Sequence, residues 1–184
     1  MMCVWRCRWV NMIPLLAAFF IAVCGTASAA ERSTLNVQMD DRVIYCAATL
    51  KNSDDIFFHA LKDGIPVATV WSVQVDRPRE YWLNKSIAGI VVVRRVVPDL
   101  LSRSWLLEDQ ASGISRRVYT VSEVSRFLSN LDHFPVLDRS LLAANTVYLM
   151  RASVELHTGD INDAWWNGLM KSPHDTMQQE FSLP

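Results

Sequence analysis

Two periods alternate along this chain, and each change from one to the other marks the start of a new element. From Thr34, the apolar residues Leu35, Val37 and Met39 alternate with Asn36 and Gln38; after Asp40 and Asp41, which suit a turn, Ile44, Cys46, Ala48 and Leu50 alternate again. Period two is the mark of a strand with one face buried. The period then lengthens. In NSDDIFFHALKDG, Asn52 or Ser53 is placed to cap a helix, Asp54 and Asp55 lie in its first turn, and Ile56, Phe57, Ala60 and Leu61 form one stripe. Gly64 stands where the chain leaves that helix, a place that favours a left-handed backbone. Around Pro66 the period returns to two, with Ile65, Val67, Thr69, Trp71, Val73 and Val75 on one face of a long strand.

The polar and aromatic stretch DRPREYWLNKS interrupts this pattern as a loop. IAGIVVVRRVV is apolar on both faces up to Arg94, which predicts a central strand covered on each side and ended by Pro98 and Asp99. SRSWLLEDQASGISRRVYT predicts a hairpin with Trp105 and Leu107 on one arm, Val118 on the other, and the turn near Ser112 and Gly113. In TVSEVSRFLSNL, Thr120 and Glu123 have capping-box spacing, Val121, Val124, Phe127, Leu128 and Leu131 form a stripe, and Pro135 prevents continuation. Asp138 is placed to cap one further turn through Leu142. NTVYLMRASVEL then predicts a last long strand with Tyr148, Met150, Ala152, Val154 and Leu156 facing inward. From Asp160 the chain reads as an irregular tail, with Trp165 and Trp166 packing down. Many strands joined mostly by short turns predict a mainly β fold, an antiparallel, immunoglobulin-like β-sandwich. Two short inserted helices would cover open ends or edges of its sheets.

The first thirty residues differ from the rest. Arg6 and Arg8 precede an apolar run over 13–23, and Ala27 and Ala29 supply small residues two apart, the order of a secretory signal. Cleavage is expected after Ala29 or Ala30, giving a signal peptide over 1–30 and a single β-sandwich domain with an irregular tail over 31–184. The run is short for a bilayer, which needs about 20 apolar residues, so the periplasm is the expected location and an inner-membrane tether the alternative. Acylation at Cys24 is disfavoured by the bulky Val23 before it. Cys3, Cys7 and Cys24 fall in the signal, leaving Cys46 as a lone thiol whose flanks, VIYCAATL, read as buried strand. Setting aside Arg6 and Arg8 leaves 16 basic against 19 acidic residues, a balance that gives no reason to expect nucleic acid.

Chemistry-bearing motifs are missing from the sequence. His59, His133, His157 and His174 are scattered, with neither H-E-x-x-H nor C-x-x-C spacing. There is no G-x-S-x-G and no glycine-rich phosphate loop. Paired acids such as Asp54 and Asp55 suit helix-start chemistry. No catalytic residue, metal site or cofactor is therefore expected. Two clusters remain. In RPREYWLNK, the cations Arg77, Arg79 and Lys85 flank Tyr81 and Trp82, a combination suited to a protein interface or a lipid headgroup layer. Arg77, Arg79, Tyr81 and Trp82 are the candidate partner contact, although the simpler reading folds these aromatics back over a sheet edge. The second cluster, Arg94, Arg95, Arg103, Arg116 and Arg117, reads by default as a solvated sheet face whose charge Glu108, Asp109 and Glu123 offset.

The series ALKDGIPVATVWSVQVDRPREYW, VVVRRVV, SRSWLLED, VSEVSRFLSNL, NTVYLMRASVEL and TMQQEFSLP resembles the proteobacterial domain-of-unknown-function family 4390 over nearly the whole chain after residue 30. Its most specific part is the joint of Ala60, Leu61, Gly64, Ile65 and Pro66 with the strand leading to Arg77, Pro78, Tyr81 and Trp82. The chain departs from the family pattern at Val97 and Pro98. The resemblance implies an exported, envelope-associated protein encoded near membrane sensor kinases, and it implies no catalytic residues. The expectation is a non-enzymatic module that contacts an unidentified envelope protein, with an inner-membrane sensor kinase as the suggested partner. A small-molecule or lipid binder, with its cleft between the sheets, is the alternative.

Overall fold

The alternating stretches do become strands, and they sort into two antiparallel sheets. The structure, a computed structural model, describes residues 33–51, 54–159 and 175–183, with 54–56 as backbone only. β1 (Thr34–Met39) and β2 (Val43–Thr49) form a hairpin, and α1 (Asp54–Lys62) leads to β3 (Val67–Arg77), β4 (Lys85–Asp99), β5 (Ser104–Asp109) and β6 (Ile114–Val118). After α2 (Val121–Ser129) come β7 (Asn130–Asp138), a 3-10 turn (Arg139–Leu141), β8 (Val147–Thr158) and β9 (Asp175–Ser182). One sheet has three strands in the order β1-β2-β7; the other has six in the order β6-β5-β4-β3-β8-β9. Each helix carries the chain from one sheet to the other.

The inner faces supply one continuous core. Ile44, Cys46 and Ala48 of β2 and Leu131 and Val136 of β7 join Trp71, Val73 and Val75 of β3 and Met150, Ala152 and Val154 of β8. Phe57 and Leu61 of α1, with Val124 and Leu128 of α2, close one end. Burial of this many branched and aromatic side chains, each contributing about 1.5–3 kcal/mol, is the main force holding the sheets together.

At the joint before β3, the amide of Ile65 donates to the carbonyl of Ala60 at 2.9 Å and that of Gly64 to Leu61 at 3.3 Å. These are the two bonds of a Schellman cap, and Gly64 takes φ +77° at its left-handed position. A Cβ there would also lie 3.0 Å from Leu100 Cδ1. The joint sets the start of β3, the strand flanked on both sides by long partners, β4 and β8. Ile65 itself lies outside the strand and is exposed, because the cap, not the strand, fixes its backbone.

Three expectations change. Pro135 is not what ends the second helix: it stops at Ser129, and β7 starts at Asn130 and runs through Pro135. A bulge explains why that strand escapes a period-two reading, since Cys46 pairs with Phe134 and Ala48 with Leu131, leaving Asp132 and His133 opposite one residue of β2. The tail is not irregular throughout, since β9 pairs with β8 and buries Met177 and Phe181; Gln179 lies on the same face and accepts from the Val37 amide of β1 at 2.9 Å. Nor is β4 covered on each side, because Val91 on the outer face is 62% exposed. β4 does end at Pro98 and Asp99, and since β3 pairs no further than Val96, no ladder bond to β3 is lost at Pro98. Asn52, Ser53, the side chain of Ile56, Trp165 and Trp166 lie outside the described residues.

Arg94 alternates with Val92 and Val96, so its side chain points between the sheets. Nη1 donates to the carbonyls of Phe127, at 3.0 Å, and Asn130, where α2 becomes β7, and Nε lies 3.4 Å from Asp109 Oδ2. The guanidinium also sits 5.1 Å from the centre of the Phe127 ring. One cation thus satisfies carbonyls at the end of a helix, where the backbone dipole favours positive charge, and ties β4 and β5 to α2 and β7. Burial pulls its pKa down, opposed by the charge of Asp109. We expect Arg94→Met to lower unfolding free energy by about 2 kcal/mol, because the carbonyls and Asp109 lose a charged partner. Arg117→Met, which breaks an exposed pair with Asp99, should cost no more than about 0.5 kcal/mol. Urea unfolding of the two variants checks the contrast.

Candidate functional site

β3 runs its eleven residues away from the capped joint, a length of about 35 Å at the usual strand rise, and ends in the loop over 78–84. Its far end is held by a polar network. Asp76 is buried and accepts from Gln74 Nε2 at 3.0 Å, and Arg151 Nη2 of β8 lies 3.7 Å from its other oxygen. Gln74 Nε2 also lies 3.3 Å from Ser86 Oγ across the hairpin. The register shifts here, with Val75 opposite Ala88 and Asp76 opposite Ser86, so Ile87 is the extra residue of a bulge that turns the hairpin tip.

On this base the loop projects its apolar residues into solvent. Tyr81 is 88% exposed, Trp82 80% and Leu83 93%. The aromatics do not fold back over a sheet edge. Consecutive large apolar side chains left this bare contribute nothing to the core and suit a contact surface. The charges around them point the same way. Arg77 and Lys85 form the last rung of the hairpin, two cations directly opposite one another, an arrangement that costs stability. Arg79 lies beyond them, with Glu80 as the loop's only carboxylate. Among the described residues no carboxylate lies in ion-pair range of Arg77, Arg79 or Lys85. Arg77, Arg79, Tyr81 and Trp82, the residues of the candidate contact, all stand exposed at the hairpin tip, with Leu83 and Lys85 exposed beside them. Leu83 was legible as the apolar neighbour of Trp82, and only its exposure marks it.

The arginine cluster disperses. Arg94 faces the core, Arg95 lies 4.0 Å from Glu108, and Arg117 lies 3.5 Å from Asp99. Among the described residues no three histidine, cysteine or acidic side chains approach closely enough to hold a metal ion. His133 takes φ +45° in the β7 bulge, stacks on Tyr45 with ring centres 3.9 Å apart, and lies 2.9 Å from Gln38 Oε1. His157 is buried beside Glu155 at 3.5 Å. His174 and the cleavage residues Ala29 and Ala30 lie outside the described residues. Between α1 and α2 there is a cleft of about 430 Å³ lined by Phe57, Phe58, Leu61, Val121, Ser122 and Val124. It is apolar and lies between helices, whereas the expected ligand cleft lay between sheets.

Residues 27–163 match the family described as Domain of unknown function (DUF4390). The chain belongs to this family. No curated protein and no solved structure matches it. The DUF4390 match spans β1 to β8 and includes the hairpin tip, while β9 lies beyond it.

Cys46 of this DUF4390 chain is fully buried on β2, and burial pushes its thiol up to about 12 from an ordinary 9.0. The unfolded thiol ionises near pH 9, and the folded one keeps its proton to about pH 12. Stability from this group is therefore complete below pH 9 and is lost as pH rises toward 12. In urea unfolding above pH 9, the native chain should lose about 1.4 kcal/mol per pH unit relative to Cys46→Ala; parallel curves would contradict the buried thiol.

Proposed function

We propose that this protein is an exported, non-enzymatic binding module of the cell envelope that docks on a protein partner through the tip of the β3–β4 hairpin. The observation that carries this reading is the bareness of Tyr81, Trp82 and Leu83 on a base fixed by Asp76, Gln74 and Arg151. Aromatic residues and arginine dominate the energetics of protein interfaces, and a rigid base limits the ordering cost on binding. The partner suggested by the family resemblance is a membrane sensor kinase, whose exported domain would present an anionic surface to Arg77, Arg79 and Lys85. Export rests on the order of charge, apolar run and small residues over 1–30.

The double substitution Tyr81→Ala and Trp82→Ala should leave urea stability within about 0.5 kcal/mol. A photoreactive residue at position 83, placed in cells, should give a discrete protein adduct whose yield falls about ten-fold or more in that double variant. An undiminished adduct would sink the tip as the contact. Export has its own check, the intact mass of the chain in soluble and membrane fractions. A soluble chain beginning at Ala30 or Glu31 is expected, and a membrane-bound chain retaining Met1 would replace the free module with a tethered one.

A further inference from the structure

β4 is only partly covered by its neighbours. Its partner β5 pairs with residues 94–99, and the Gln110 amide makes one more bond to the Val93 carbonyl at 3.0 Å. There Asp109 Oδ1 accepts from the amides of Ala111 at 3.0 Å and Ser112 at 3.3 Å, which bends the chain off β4. Toward the tip, β4 pairs with β3 alone among the described residues. Backbone groups of alternate residues in an antiparallel strand point to the same side. Because the Val93 carbonyl points toward β5, those of Val91 and Gly89 point the same way, into a slot that no described strand fills. On the outer sheet face along this slot, a side chain added at Gly89 would meet nothing within 4 Å, and the Val91 side chain is exposed.

We infer that this slot takes an extended, acidic segment of the partner as an added strand continuing the line of β5, bonded to the backbone of Gly89 and Val91 and reaching the cationic tip. The inference rests on the reading of the tip as the contact, and it names the form of what binds there. The slot fixes an extended backbone, because only a strand presents donors and acceptors at the spacing of alternate residues. Arg77, Arg79 and Lys85, against the single carboxylate of Glu80, fix the charge of the segment's end. A second copy of this chain fits poorly. Antiparallel pairing of two copies about Gly89 sets Lys85 of each opposite Val93 of the other, whose carbonyl already accepts from the Gln110 amide.

The probe is a ten-residue peptide alternating valine with threonine, with three glutamates at the end that meets the tip. It is titrated into nitrogen-15-labelled protein while amide exchange is followed. Exchange at Gly89 and Val91 should slow at least ten-fold, and a peptide with lysines for glutamates should bind at least ten-fold more weakly. Val91→Pro removes an amide that faces the slot and should abolish the protection. Should that variant lose its native spectrum, proline at the matching peptide position deletes the same ladder from the other side. Protection that survives Tyr81→Ala with Trp82→Ala leaves the strand site standing even where the tip reading fails. Shifts confined to 78–84, with Gly89 and Val91 unprotected, overturn the strand site and leave the tip. No response to the acidic peptide overturns it as well, and so does protection that grows with protein concentration in the absence of peptide, which would put a second copy in the slot.

Discussion

A single cation between the sheets governs how the two halves of this fold meet. A sandwich core can be apolar throughout, and most of this one is, but the chain must also cross between sheets, and each crossing leaves helix-end carbonyls without partners. At the second crossing, where α2 gives way to β7, Arg94 supplies the donors. Its pairing with Asp109 keeps the charge from being buried alone, which would otherwise cost several kcal/mol. The geometry is specific in a way that apolar packing is not, because the guanidinium reaches its carbonyl partners only where the end of α2 meets β4 and β5.

The hairpin tip takes its position from β3. β3 is flanked by the longest strands, is started by a Schellman cap, and is pinned at its far end by Asp76, Gln74 and Arg151. A loop on such a strand can carry residues that do nothing for stability, even a like-charge rung such as Arg77 and Lys85, because the scaffold beneath does not depend on them.

Periodicity made the helices, the hairpins and the long strands legible, and the positions of β2, β3 and β8 follow from alternation alone. It failed where side chains stop reporting which face they occupy. In β7 a bulge at His133 breaks the alternation, and Pro135 reads as a terminator although it sits in a strand. In β9 the inward Gln179 is polar because it bonds across to Val37, so the stretch has no clean apolar stripe. Arg94 misleads for the same reason: an arginine in a run of valines reads as the outward face, and only the tertiary structure shows the carbonyls it answers. The candidate contact was visible as composition, aromatics between cations. Its exposure was not, since tyrosine and tryptophan cover a sheet edge as readily as they project from one.

The bond from Val37 to Gln179 joins the first strand to the last across 142 residues, and β9 lines the far edge of the larger sheet with Met177 and Phe181. The β8 edge of the larger sheet stays unpaired until β9 has left the ribosome. Folds dominated by such distant pairings close slowly, so a growing chain of this kind has no complete native state to fall into during synthesis. Under the proposed export, late closure would keep the chain passable to a pore for as long as it is being made.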